Sequence, residues 1–360
     1  MKLGQGEEFR AIEAFVDAAG AGPMGQDASD PDARLAGAAG RFHRPGEIVL
    51  GPGDDAALVE GGSGVLVLSC DTSVEGVHFR RDWISLEESG YRATAAALSD
   101  LAAMAARPVG ILVGLHVPPG GGASLPPLAR GVGRACREAG AALLGGDLTS
   151  TSGPLSLDVT VVGRSHAPVS RRGAHAGEEI WVTGELGGSA GAVEAWRRGE
   201  SPSDGLRKRY AHPLPRLREA LWLGQQGVPS SLMDISDGLA GDVGHLAAAS
   251  GLSAVLDGVT IPVDGNLERE GYSGAEALQL ALTGGEDFEL LFTAPRGRVE
   301  AIQEMFHAAF QLRITCVGRM EMGSGVAWVS EPGGLPQPLS GGGFDHLALG
   351  GGVALEGGGA

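Results

Sequence analysis

Acidic residues recur in this chain at the ends of apolar runs and inside glycine turns. They are Asp54 and Asp55 in GPGDDAAL, Asp71 in LSCDTSVEGVHF, Asp147 in LLGGDLTS, and Asp234 and Asp237 in MDISDGL. Asp100 in ALSDLAAM joins them from an Ala-rich helical stretch. A carboxylate beside glycine or an apolar segment is held close to folded structure. Several such groups within about 6 Å raise one another's pKa, or repel, unless cations sit between them. Magnesium takes oxygen-only ligands of this kind and bridges carboxylates to phosphate oxygens. Taken singly, each acid has a plainer reading. Asp-Gly and Gly-Asp are turn residues, Asp100 suits a solvated helix face, and Asp237 could cap the helix after DISDGL. The combination, in this order, carries the chemical reading.

Elements that could position these acids follow from the apolar pattern. VLVLSCD (65–71) reads as a buried strand ending in an acid. Ser85 and Glu88 match a capping box at the start of a helix, with Pro108 just beyond its end. Residues 109–117 form the next strand, a helix over roughly 125–139 stops at Gly140, AALLGGD is another strand ending in an acid, and 156–164 alternates for a strand with one covered face. A Pro, Ser and Gly loop around 165–177 marks the junction between a domain over 1–165 and a second over 166–348. In that second half, EIWVTG, SLMD, SAVLD, FELLFTAP, ITCVGRM and VAWVS supply strands, and GGSAGAVEAW and LAGDVGHLAAASG supply helices. The fold class is α/β (α+β): two domains, each a mixed sheet covered by helices. EEFRAIEAFV (7–16) has helical spacing, 17–46 reads as a flexible Gly/Ala-rich insertion, and 349–360 as a disordered tail.

Charge and composition exclude several classes. A formal charge of −17 repels nucleic acid and anionic membranes unless a basic patch is set apart, and RRGAH and LRKRY are too short to make one. No apolar run reaches the roughly 18 residues needed to span a bilayer, and the start MKLGQGEEFR is too acidic for a signal peptide. Cys70, Cys136 and Cys316 are scattered and lack CxxC spacing, which argues against disulfides and thiolate zinc and for a cytoplasmic location. A P-loop is absent: there is no GxxxxGK[ST], and neither lysine, Lys2 or Lys208, follows a Gly-rich loop. TGELGGSAGAV (183–193) leaves two readings open, an anion cradle or a simple strand-to-helix turn.

GPGDDAAL, the strand acid followed by EGVHF, LSDLAAM, GGD, VTGELGGSAG, DISDGL, GGEDFELLF and a terminal GFDHL occur in the order seen in thiamine-monophosphate kinases. The chain resembles that family over roughly residues 47–347, with DISDGL and GGEDFEL the most specific parts. The GDD and GGD elements are shared with the wider aminoimidazole ribonucleotide synthetase-like superfamily. The resemblance implies transfer of the γ-phosphoryl group of ATP onto thiamine monophosphate, with several Mg2+ ions, in a homodimer. It places Asp55, Ser69, Cys70, Asp71, Asp100, Asp147, Asp234 and Asp237 at the metals, with Asp71, Asp147 and Asp234 central to catalysis. It places Gly146, Asp147, Arg171 and Ser236 at ATP, and His78, Glu286 and Phe344 at the thiamine substrate.

Physical chemistry agrees with that implication. The acceptor is already a phosphate and needs no strong base, so catalysis reduces to placing two polyanions in line and neutralising the charge between them. Arg171 can add a bidentate contact, and Glu286 and Phe344 suit a cationic thiazolium ring. His78 has the plainer reading of a satisfied core or loop histidine. Departures from the family pattern include Cys70 for threonine, Leu98 for asparagine, Leu148 for threonine, and Phe288 and Phe344 for tyrosines; none removes a carboxylate. Two rivals stand beside the kinase. A different enzyme of the superfamily is disfavoured because no cysteine precedes Cys70 and the chain ends EGGGA. A non-catalytic nucleotide- or thiamine-phosphate-binding protein would be expected to have lost carboxylates.

Overall fold

The computed structural model describes residues 61–331 and 333–339, Ala18, and the backbone of 48–50 and 58–59. The expected helix over 7–16, the stretch 17–46 apart from Ala18, the acids Asp54 and Asp55, Phe344 and the tail 349–360 lie outside the described residues. The chain divides into two compact units. The described part of the first runs to His166, apart from Ala102–Ala105, and that of the second comprises Ala102–Ala105 and the residues from Ala167 onward. Ahead of the main sheets, β1 (Ile48–Leu50) and β2 (Leu58–Val59) pair antiparallel.

In the first unit, β3 (Val65–Val74), α1 (Leu86–Ala103), β4 (Arg107–Val117), α2 (Leu125–Ala139), β5 (Ala142–Ser150) and β6 (Ser156–Ser165) follow in order. The sheet order is β3-β6-β4-β5, antiparallel except for the β4–β5 pair joined through α2. α1 begins as its sequence predicts: the Ser85 amide donates to Glu88 Oε2 (2.8 Å) and the Glu88 amide to Ser85 Oγ (3.2 Å). α2 ends at Gly140 in a left-handed conformation, φ 67°. The two helices touch backbone to backbone, since a Cβ on Gly131 would lie 1.8 Å from the Glu87 carbonyl oxygen. One sheet face is buried: Ile111, Leu157, Val159 and Val161 are fully covered, each such side chain stabilising by about 1.5–3 kcal/mol. The other face is open, with Leu66 54% and Leu68 63% exposed.

The second unit holds a seven-stranded sheet. Its strands are β7 (Glu179–Thr183), β8 (Ser231–Asp234), β9 (Ser253–Asp257), β10 (Leu290–Ala294), β11 (Ile314–Glu321), β12 (Gly325–Val329) and β13 (Gln337–Pro338). Their order is β13-β12-β9-β11-β7-β10-β8, with β9 and β12 parallel and the remaining pairs antiparallel. Seven helices accompany it: α3 (Gly188–Arg197), α4 (Asp204–Ala211), α5 (Leu217–Gln225), α6 (Leu239–Ser250), α7 (Gly265–Arg269), α8 (Gly274–Thr283) and α9 (Gln303–Phe310). Ile180, Val182, Leu246, Leu256 and Leu291 form a core between sheet and helices. Both sheets are therefore mixed and helix-covered, as the alternating pattern predicts.

α4, α5, α7, α8 and α9 have no counterpart in the sequence reading. For α8 the signal was present: Ser273 and Glu276 make a complete capping box. Among the described residues no helix is long and apolar enough to cross a membrane.

Candidate active site

The two most specific motifs fold into a single backbone unit. β8 ends in Asp234, only 4% exposed, and the chain runs on through Ile235, Ser236 and Asp237 to α6. The Ile235 amide donates to the Glu289 carbonyl (2.8 Å), the Phe288 amide to the Ile235 carbonyl (2.8 Å), and the Glu286 amide to the Ser236 carbonyl (2.7 Å). DISDGL and GGEDFEL are thus laced together along their main chains. Their glycines are where the contact is closest. A Cβ on Gly285 would come within 2.3 Å of the Ser236 carbonyl oxygen, and one on Gly238 (φ +105°) within 2.8 Å of the Thr283 carbonyl carbon.

A residue the sequence reading passed over holds the DISDGL turn. Asp242, in the first turn of α6 and 1% exposed, accepts the amides of Ser236 (3.0 Å) and Asp237 (3.1 Å). Burial, reinforced by the charges of Asp237 and Asp234, pushes its carboxyl up to about 8. The helix N-cap is Gly238, with no side-chain hydrogen bond, so Asp237 is not the cap that its position allowed. Its carboxylate shares a negative field with those of Asp234 and Asp242. Such a field is relieved by a hard cation, and the oxygen-only donors suit magnesium. Among the described residues, no group of three or more His, Cys, Asp or Glu is arranged to hold a metal ion.

Glycine-rich TGELGGSAGAV proves to be a strand-to-helix turn that wraps the protein's own carboxylate. The Gly187 amide donates to Asp287 Oδ2 at 2.7 Å. Asp287 belongs to GGEDFEL, and burial pushes it up to about 7 even though Arg209 and the Gly187 amide draw it down. On either side of Asp287, Glu286 (φ 69°) and Phe288 (φ 52°) adopt left-handed backbone. For residues with a Cβ that conformation costs on the order of 1–3 kcal/mol each, and it persists only where the surroundings impose it.

The first unit places its candidates more openly. Ser69 Oγ donates to Asp100 Oδ2 at 2.5 Å, which brings a residue of β3 to one of α1. Asp71 lies two residues on and shares Ser69's side of the strand. Cys70 points the other way and is exposed, its Sγ accepting from Thr160 Oγ1 at 3.3 Å. Gly146 and Asp147 are exposed on β5. Because β3 and β5 are the two edges of the four-stranded sheet, Asp71 and Asp147 sit about 14 Å apart across three strand spacings. Asp147 pairs in register with Gly114, which pairs with Asp158, and Asp158 accepts from Thr72 Oγ1 at 2.5 Å.

His78 Nδ1 accepts from the Val74 amide at 3.0 Å, which fixes the neutral ring as the Nε2–H tautomer. Arg171 is exposed, and its carbonyl accepts from Ser250 Oγ at 3.4 Å. Part of the sequence-predicted set therefore assembles, as two groups. Ser69 and Asp100 meet beside Asp71 in the first unit; Asp234, Ser236, Asp237 and Glu286 meet in the second.

Residues 53–165 match the family model for the AIR synthase related protein, N-terminal domain. A thiamine-monophosphate kinase of Mycobacterium tuberculosis is 36% identical over 255 residues, covering 69% of this chain and 75% of that protein. The crystal structure of a thiamine-monophosphate kinase from Stenotrophomonas maltophilia K279a superposes with a TM-score of 0.73 at 34% identity, over 84% of this chain and 97% of that one. A structure of AaThiL complexed with AMPPCP and TMP gives 0.69 at 29% identity, over 81% and 91%. With the interlocked DISDGL and GGEDFEL segments in place, these likenesses show that the chain belongs to the thiamine-monophosphate kinase family.

Proposed function

We propose that this protein transfers the γ-phosphoryl group of ATP to the phosphate of thiamine monophosphate, giving ADP and thiamine diphosphate. The observation that carries the reading is the lacing of DISDGL to GGEDFEL, which presents Asp234, Ser236, Asp237 and Glu286 from one rigid backbone. A related structure that holds AMPPCP and TMP supports both ligands. The acceptor oxygen is already anionic, so the protein's task is alignment and charge neutralisation. In this reading Gly146, Asp147, Arg171 and Ser236 contact ATP, and His78, Glu286 and Phe344 contact the thiamine moiety. His78 meets the acceptor through its Nε2 proton.

Magnesium belongs to the proposal. Asp55, Ser69, Cys70, Asp71, Asp100, Asp147, Asp234 and Asp237 would hold the ions, with Asp71, Asp147 and Asp234 central and Cys70 contributing its backbone carbonyl. Bound there, the ions supply neutralisation of the phosphate charges. We further read the division 1–165 and 166–348 as a nucleotide, metal and dimerisation domain followed by a second α/β domain, in a cytoplasmic homodimer without nucleic-acid or membrane partners. The apolar open face of the first sheet, with Leu66, Leu68 and Leu112 exposed, supports cover by a second copy. Purified protein with ATP, magnesium and thiamine monophosphate should release ADP and thiamine diphosphate. Turnover with another phosphorylated metabolite from a small panel, and none with thiamine monophosphate, would sink the acceptor assignment.

A further inference from the structure

GGEDFEL carries three carboxylates, and family resemblance gives a role only to Glu286. The structure gives Glu289 a different one. Its side chain is fully buried, yet it is surrounded by donors: Arg216 Nε at 2.7 Å on Oε2, Arg216 Nη2 on Oε1, Thr183 Oγ1 at 2.7 Å and Arg209 Nη1 at 3.4 Å. Arg209 also pairs with Asp264 at 3.1 Å. The Thr183 hydroxyl in turn accepts the Leu290 amide at 2.9 Å. Gly184 has to be glycine (φ +63°), because a Cβ there would lie 2.3 Å from Glu289 Oε1. Strand β7, helices α4 and α5 and the Gly-rich turn thus converge on one carboxylate.

The segment that this carboxylate anchors is the strained one. Glu286 and Phe288 hold left-handed backbone, while Asp287 and Glu289, the alternate residues, are buried. A free chain would relax those two positions; two buried side-chain anchors prevent it. The Arg216–Glu289 fork is bidentate, which fixes direction as well as distance. Arg216 is 12% exposed, so the pair is mostly shielded from solvent.

We infer that Arg216 and Glu289 are positioning residues for the acceptor: their buried fork forces the left-handed turn that presents Glu286. The inference rests on the reading of Glu286 as an acceptor contact under the proposed function. Their polar atoms are engaged with each other inside the fold, so their effect passes through the loop.

Two measurements test this separately. The first is hydrogen exchange on the full chain for wild type, R216K and the volume-conserving pair R216M/E289M, in case removal of one charge alone prevents folding. The Glu286 and Phe288 amides should exchange roughly tenfold faster or more in the variants, with the β10 amides of Leu291–Thr293 unchanged. Unaltered exchange at 286 and 288 overturns the inference whatever the acceptor is. The second is steady-state kinetics. R216K should raise KM for thiamine monophosphate roughly tenfold while KM for ATP stays within about twofold. In an E286A background, the same substitution should change the acceptor KM by less than about twofold. A full effect of R216K on top of E286A, or an equal rise in both KM values, shows a general structural role and overturns it. Wild-type enzyme inactive on thiamine monophosphate but with faster loop exchange in the variants would refute the proposed acceptor, and with it the acceptor half of the inference, while leaving the loop anchor standing.

Discussion

The two units hold their acidic residues in opposite ways. In the second, Asp234, Ser236 and Asp237 rest on buried support: Asp242 gathers two amides of the turn, and the Arg216–Glu289 fork fixes the segment laced against it. In the first, Asp147 is exposed on an edge strand, and Asp100 accepts a serine hydroxyl from β3. The sheet there is finished on one face only. A site of charged oxygens tolerates little wander, because charge neutralisation falls off with distance. The second unit therefore builds rigidity from within. Under the proposed function, the first would gain part of its rigidity from the ions and the second copy that complete it.

Asp71→Asn puts the greatest strain on that contrast. It sits on an edge strand of the open unit, on the same side as Ser69 of the Ser69–Asp100 contact. Activity should fall by about 100-fold or more, the scale seen when one preorganised charge-stabilising group is removed from an active site, while the melting temperature without divalent cation stays within about 2 °C of wild type. Full activity would remove Asp71 from the metal set. A large loss of stability without cation would show that the first unit depends on this side chain for its fold, contrary to the comparison.

Leu68→Asp probes the unfinished face. Leu68 is 63% exposed within one chain and lies in the same strand as Ser69 and Asp71. If a second copy covers that face, a buried carboxylate there costs several kcal/mol of association, and light scattering should show a shift from dimer to monomer at micromolar concentration. An unchanged dimer would place the interface elsewhere.

How far the sequence disclosed this arrangement depended on the range of the interaction. The Ser85–Glu88 box, the Gly140 stop and the strand ending in Asp234 are local signals, and the structure has them where the pattern puts them, whereas the strands expected to stop at Asp71 and Asp147 run on to Val74 and Ser150. The charged residues that support the site were not legible. Asp242 in LAGDVG looks like a solvated position on a helix, and Arg209 in LRKRY looks like loose basic charge. Only tertiary contacts reveal Asp242 as the acceptor of two amides and Arg209 as the partner of Asp264 and Glu289. TGELGGSAGAV had the signature of an anion site correctly, since a glycine turn opening a helix offers free amides. The anion that fills it, Asp287, lies a hundred residues further along the chain.

That internal anion gives the smallest and most selective test of the comparison, because it concerns the second unit alone. Asp287 is fully enclosed and its pKa is raised from an ordinary carboxylate value to about 7. A carboxyl raised on folding binds its proton more tightly in the native state. Its stabilising contribution is complete below the unfolded pKa of about 4 and is lost as pH rises through about 7, at up to about 1.4 kcal/mol per pH unit in between. Asp287→Asn keeps an acceptor for the Gly187 amide without the titration. Thermal melts of the cation-free protein should therefore show wild type losing stability from pH 5 to pH 8 more steeply than the variant, with the variant the more stable by a few degrees at pH 8. A variant less stable than wild type at pH 8 would mean that the turn needs a full negative charge at Asp287, so that the second unit, like the first, relies on ionic attraction at its glycine-rich edge.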